Sequence, residues 1–509
     1  MSIMSILARS FSRFIDTLLY PPKDPLDVQR KLLSNIIKVN KNTLFGKKHN
    51  FSQIRTIRDF QKACPVCDYS KFEPYIQKMV NGEKNILVGS KHIYWGKTAG
   101  TSGKYKLIPI TRKSIINASK CSFRIILSYI CENPKLNSKI LNGTMYFYAS
   151  DPLVDEINGI PAGYGTGAFA QSSSNLFMKF YNFNIYTPLK FYKIKDYSRR
   201  INAMIKEACK LNITTFFGVT SILINFMEQI IHYLQKNGQS GIKIKDVFPN
   251  YSFSIMGGEP FKFYENRFYH VVGKKIDCRE IYGATEETIA VQLHSVPGLS
   301  PMLDTNFLEF VPVNDDSERL LIDEVEKHKE YFVVMTNYNG LYAYNIFDII
   351  EFISIDPPLL IFKRRKDTIN LASEKITLDQ LYMSIKLADK KLNCKAKDYL
   401  ICGTLDPKPR YILVIEFLPN SRPLDYKEYL IEFNKNLMNL NTIYDDLINV
   451  QKAILPPIIW VVKTDSFNKY QTEQLRKGRP AGQAKFPKIS IKKEILEYFS
   501  NKILKIEEI

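Results

Sequence analysis

Thr98-Ala99-Gly100-Thr101-Ser102-Gly103-Lys104-Tyr105-Lys106 is a small, hydroxyl-rich loop that follows the apolar stretch Ile93-Tyr94-Trp95. Glycines at 100 and 103 let successive backbone N–H groups point into one concavity. The hydroxyls of Thr98, Thr101 and Ser102 add donors, and Lys106 adds a point charge. A loop of this kind behind a strand is built to hold phosphate. Its spacing is not G-x-x-x-x-G-K-[ST], so it is not a Walker loop. An ordinary solvated turn has the same composition, and the decision rests on the rest of the chain.

With 509 residues the chain exceeds one compact core and should divide into at least two domains. Hydrophobic residues make up 45% and charged residues 24%, the balance of a globular protein. Lys and Arg outnumber Asp and Glu 71 to 51, a net charge of +20. That sign suits nucleic acid or an anionic membrane. The surplus is spread as single lysines among Ile and Asn, however, so neither partner is expected, and we expect a monomer. The eight cysteines are dispersed and only Cys64-Pro65-Val66-Cys67 forms a C-x-x-C, which reads as reduced cysteines of a cytoplasmic protein. The six histidines form no cluster, which argues against a zinc site or a histidine triad. Residues 1–20 set Arg9 and Arg13 among Ile6, Leu7, Phe11, Phe14 and Ile15 at helical spacing, a packed first helix rather than a signal peptide. The apolar run from Ile213 to Leu234 is interrupted by Thr214, Asn225 and Glu228, and reads as a strand entering a buried helix.

Val28, Leu32, Leu33, Ile36 and Ile37 predict a helix over 25–42, and a second long helical pattern covers 196–211. Strands are expected at 91–95, 144–148, 253–256, 275–281, 307–312, 331–336 and 349–353. Helices alternate with several of them, which makes the fold class α/β. Asp356-Pro357-Pro358 is the sharpest expected break before the last third. After Phe362 a basic string leads into a smaller α/β unit, with helices at 378–390 and 426–437 and strands at 399–403, 411–417 and 458–462.

Further motifs lie on both sides of the loop. Before it stand Gln29, Asn42-Thr43-Leu44-Phe45-Gly46-Lys47, Asp59-Phe60, Pro74-Tyr75-Ile76 and Gly82-Glu83. After it come Met256-Gly257-Gly258-Glu259-Pro260, Ile281-Tyr282-Gly283-Ala284-Thr285-Glu286, Phe307-Leu308-Glu309-Phe310-Val311-Pro312, Thr336-Asn337, Gly340-Leu341-Tyr342, Asp348, Phe362-Lys363-Arg364 and Gly482-Gln483-Ala484-Lys485-Phe486-Pro487-Lys488. In this order and spacing the chain resembles the auxin-responsive acyl-acid amido synthetases, from about residue 25 to about residue 490. The loop itself reads T-x-G-T-[ST]-G-x-x-K, as in enzymes that convert a carboxylic acid into an acyl-adenylate.

The resemblance implies an adenylation domain over 1–362, a hinge over 363–367 containing Arg365 and Lys366, and a mobile C-terminal domain over 368–509. It implies ATP and Mg2+ as cofactors, and a small carboxylic acid and an amino acid as substrates. Thr98, Ala99, Gly100, Thr101, Ser102, Gly103 and Lys106 would hold the β- and γ-phosphates. Gly258, Glu259, Tyr282, Gly283 and Ala284 would frame the adenine, and Thr285 would lie near the α-phosphate. Glu286 would be the magnesium ligand, Asp348 would accept the ribose hydroxyls, and Arg364 would contact ribose or phosphate. Lys485 would arrive with the C-terminal domain to stabilise charge on the α-phosphate. Gly163, Tyr164, Val219 and Ser221 fall in segments that would line the acid pocket. One stretch departs from the family pattern Gly-Leu-Tyr-Arg-Tyr-Arg-x-Gly-Asp: here Ala343, Asn345 and Phe347 replace the two arginines and the glycine. Two other readings stay open, an acyl-CoA ligase sharing the adenylation step and a degenerate nucleotide or acid binder without turnover.

Overall fold

A computed structural model describes residues 24–98, 106–173, 184–194, 196–365, 368–467, 469–470, 473, 488–491 and 493–509. Helix Pro25–Asn40 starts where Asp24 accepts the Asp27 N–H and proline occupies the first turn. It buries Leu32, Leu33, Ile36 and Ile37, the face its spacing predicts. Gln29 shares that face. It donates to the carbonyls of Leu303 and Asn306 and accepts the Leu308 N–H at 2.7 Å, which ties the helix to the start of strand Phe307–Pro312. Phe45 stacks on Tyr342 at 4.6 Å between centroids, and a Cβ on Gly46 would collide with the Asn40 carbonyl at 2.2 Å. Several motif residues therefore serve the core.

Among the described residues three sheets build the first unit. A seven-stranded sheet runs Ser300–Pro301, Glu287–Val291, Asp277–Ala284, Phe253–Gly257, Ile213–Val219, Thr144–Tyr148, Ile185–Tyr186. Its last five strands are parallel, and Glu287–Val291 turns back antiparallel beside Asp277–Ala284. A four-stranded sheet holds Lys106–Thr111, His92–Thr98, Ile160–Gly163 and Asp155–Ile157. An antiparallel sheet orders Phe307–Pro312, Glu330–Thr336, Tyr344–Ile355 and Pro358–Arg365. The run from Ile213 to Leu234 is, as expected, strand Ile213–Val219 entering helix Thr220–Lys236.

Asp356-Pro357-Pro358 is no break between domains: it turns the hairpin between Tyr344–Ile355 and Pro358–Arg365. Lys363, Arg364 and Arg365 complete the second of these strands. The described residues form two compact units, one reaching through Arg365 and the other beginning at Thr368. The second unit carries helices Leu378–Lys391 and Tyr426–Leu440 and a five-stranded sheet of Ile489–Ser490, Ala396–Thr404, Arg410–Phe417, Leu455–Val462 and Ile503–Glu508. All eight cysteines are free, and among the described residues no helix is long and apolar enough to cross a membrane.

Candidate active site

Because Ile213–Val219, Phe253–Gly257 and Asp277–Ala284 run parallel, their carboxyl ends fall along one edge of the sheet, where ligands bind in open α/β folds. Val219, Gly258, Glu259, Thr285 and Glu286 all lie there. The Thr220 hydroxyl donates to the carbonyls of Gly257 and Glu259 at 3.1 Å each, closing the turn in which Gly258 takes φ +84°. Gly283 is required by closeness: an added Cβ would lie 2.9 Å from the Glu287 carbonyl across the hairpin.

The tip of this hairpin meets the antiparallel sheet. Glu286 is only 4% exposed, not a solvated surface glutamate. Its carboxylate accepts from the Tyr344 hydroxyl at 3.2 Å, and its carbonyl from the side-chain amides of Asn337 (3.1 Å) and Asn339 (2.9 Å). The Tyr282 hydroxyl donates to Asp348 Oδ2 at 2.9 Å, and Arg365 Nη1 to Asp348 Oδ1 at 3.3 Å. Burial holds the Tyr282 and Tyr344 phenols well above their ordinary range, so both remain donors. Burial works against the charge of Arg365, and the Asp348 and Glu286 carboxylates outweigh it.

Thr285 is seated between glycines: a Cβ on Gly96 would lie 2.5 Å from its Cγ2, and one on Gly165 3.2 Å from its Cα. Gly163 pairs with Gly96 across parallel strands, and an added Cβ there would strike the Tyr94 hydroxyl at 2.4 Å. Tyr164 immediately follows. Thr98 and Lys106 face each other as the last paired residues of their strands, and Lys106 Nζ sits 5.3 Å above the ring of Tyr69. Tyr69 both donates to the Leu107 carbonyl (3.1 Å) and accepts its N–H (2.9 Å). Ala284 ends strand Asp277–Ala284, and Ser221 lies in helix Thr220–Lys236.

The expected site residues Ala99, Gly100, Thr101, Ser102, Gly103, Lys366 and Lys485 lie outside the described residues, as does the expected helix over 1–20. Of the late lysine motif, Lys488 is described; it pairs with Asp398 and lies over the ring of Tyr399 at 4.6 Å. The structure separates Arg364 from the other expected site residues. It is half-exposed and paired with Glu330 at 2.8 Å, whereas Arg365, expected only as a hinge residue, reaches Asp348. Consecutive strand residues point to opposite faces, so one of the two arginines had to face away. That alternation was available in the sequence, but not which face carries Asp348. Tyr344 and Asn339 were missed as well, because their partners lie more than fifty residues distant.

The GH3 family N-terminal domain matches residues 18–238, the central domain 299–365 and the C-terminal domain 379–494. The chain belongs to the GH3 family. Among curated relatives, a jasmonoyl–L-amino acid synthetase of Nicotiana attenuata is 22% identical over 73% of this chain and 74% of its own length. The indole-3-acetic acid-amido synthetase GH3.10 of Arabidopsis thaliana is 22% identical over 88% of each. The solved acyl acid amido synthetase GH3.15, in complex with 2,4-DB, superposes with a TM-score of 0.61 at 16% identity, covering 100% of this chain and 98% of that one. A 2-hydroxyisobutyryl-CoA ligase in complex with 2-HIB-AMP and CoA gives 0.60 at 12% identity, covering 91% and 94%. The fold is thus that of the adenylate-forming ligases, and GH3 relatives are enzymes that conjugate acids to amino acids.

The residues of this GH3 chain fit a nucleotide. Each Asp348 oxygen accepts one hydrogen bond and retains a lone pair, which leaves the two acceptors that two ribose hydroxyls require. Glu286 offers a single carboxylate, and among the described residues no group of three or more His, Cys, Asp or Glu could hold a metal. Mg2+ therefore fits here in company with phosphate oxygens and water, as it commonly binds.

Proposed function

We propose that this chain is an ATP-dependent acyl acid amido synthetase. A carboxylate oxygen of a small acid attacks the α-phosphorus of ATP, the bond to pyrophosphate breaks and an acyl-adenylate forms. The amine of an amino acid then attacks the acyl carbon and AMP leaves. The observation that carries this reading is the joining of Asp348, Tyr282 and Arg365 beside Glu286, at the carboxyl ends of the parallel strands.

In this reading Asp348 holds the ribose, with Tyr282 and Arg365 fixing its two oxygens. Arg365 replaces Arg364 as the arginine that faces the nucleotide, because Arg364 is committed to Glu330. Glu286 would hold Mg2+, whose chemistry is to neutralise the polyphosphate. The 98–106 loop supports the phosphates through its donors and Lys106, and Gly163, Tyr164, Val219 and Ser221 border the acid. We assign adenylation to the first unit, through Arg365, and to 368–509 the delivery of Lys485 to the α-phosphate, which narrows the expected 363–367 hinge to 366–367. The chain works as a cytoplasmic monomer.

Acid-dependent ATP–pyrophosphate exchange tests the first half-reaction. A panel of carboxylic acids with no exchange in any member would sink it in favour of a degenerate binder, the reading that Ala343, Asn345 and Phe347 favour. AMP release with amino acids but not coenzyme A tests the second half. An amido synthetase and a CoA ligase share this fold, so the acceptor is what distinguishes the two.

A further inference from the structure

Asp348 follows a backbone that the sequence ought to disfavour. Phe347 takes φ +61° and Ala343 φ +49°, in the left-handed region where a residue with a Cβ is strained and an aromatic one is an outlier. Ladder pairing is interrupted at this place. Val334 opposes Asn345 and Phe332 opposes Ile349, so Val333 alone faces Ile346, Phe347 and Asp348. A bulge of this kind re-aims side chains.

Each strained residue has its own side-chain acceptor. The Thr336 hydroxyl accepts the Ala343 N–H at 2.8 Å, and Asn345 Oδ1 accepts the Phe347 N–H at 2.7 Å, an Asx turn two residues long. Cys67 clasps the segment from outside, donating its N–H to the Ala343 carbonyl at 3.0 Å and accepting the Asn345 N–H at 2.9 Å. Tyr344, which reaches Glu286, lies between the clasped residues, and Asp348 comes directly after Phe347.

We infer that Asn345 is a positioning residue: its carboxamide holds Phe347 left-handed and so presents Asp348 to the ribose. The inference rests on the ATP reading of this site. It explains the departures at 345 and 347 together. A glycine at 347 would adopt this backbone without help, whereas phenylalanine requires an acceptor for its N–H two residues upstream, and asparagine supplies one. The altered stretch therefore preserves the bulge, and the chain need not have lost its nucleotide.

The test is a double-mutant cycle of Asn345→Ala and Phe347→Gly. Asn345→Ala should raise the KM for ATP in pyrophosphate exchange about tenfold and change kcat by less than about threefold. In the Phe347→Gly background the same substitution should cost little, in KM and in the nucleotide-free thermal midpoint alike. If Asn345→Ala does not fold, recovery of folding in the double variant supports the inference, and failure of both overturns it. Equal effects of Asn345→Ala in the two backgrounds, or an unchanged KM for ATP, would also overturn it. Absence of exchange in the wild type would defeat the functional reading instead, and the nucleotide-free cycle would then judge the turn by itself.

Discussion

Both units bury glutamates, but they treat them differently. In the second unit Glu374 accepts the N–H groups of Leu371 and Ala372 at 2.7 Å each and the Tyr411 hydroxyl, while Asn441 donates to its carbonyl at 2.8 Å. That cage comes mostly from the loop of Glu374 itself and is closed. In the first unit Glu286 and Asp348 are held by Tyr344, Tyr282 and Arg365, brought from separate strands, with at most one bond to each oxygen. A saturated carboxylate organises the chain; one with lone pairs left over can take a ligand. Next to Glu286, Glu287 is a second buried carboxyl of the first unit and accepts the Ser114 hydroxyl at 2.7 Å.

The largest expected effect falls on the open kind. Glu286→Gln keeps the shape and an acceptor for Tyr344 but removes the charge, and should cost on the order of 2–4 kcal/mol in the exchange reaction with the melting midpoint nearly unchanged. Near-normal exchange would place Glu286 among the structural glutamates. Next come the two arginines. Arg365→Ala should lower kcat/KM for ATP by about 1.5–3 kcal/mol, because a charged partner of buried Asp348 is lost. Arg364→Ala removes an exposed pair with Glu330 and should stay within about 1 kcal/mol. Steady-state kinetics of both variants, with the order reversed, would restore Arg364 to the site.

The smallest effect is a matter of pH. Burial pushes Glu287 up from 4.5 to about 8 and Glu374 from 4.5 to about 7. The native state then binds more protons than the unfolded state above pH 4.5, so stability falls as pH rises. The Glu374 contribution levels off near pH 7 and that of Glu287 near pH 8. Thermal melts should show Glu374→Gln flattening the profile only below pH 7 and Glu287→Gln flattening it up to pH 8. Identical profiles for the two variants would contradict the assigned windows.

Much of the architecture could be read from local pattern. Helix Leu378–Lys391 and strands Thr144–Tyr148 and Phe307–Pro312 match their expectations to within a residue, since periodicity and caps act over a few positions. The Tyr282-to-Glu286 string points to a candidate site for the same reason, as its turn and its chemistry lie in consecutive residues. Long-range pairing was not available in that form. Pro357 and Pro358 read as a rigid break, and only the register of Tyr344–Ile355 with Pro358–Arg365 makes them a hairpin. Nor could the chain announce that Phe347 would be left-handed, or that Arg365 and not Arg364 would face Asp348. Strand alternation limits an arginine pair to two outcomes, and the choice between them depends on which side the other sheet packs. Composition and spacing specified the elements and the chemistry they carry. The site itself exists because strands distant in sequence meet, and that meeting is a property of the packed sheets.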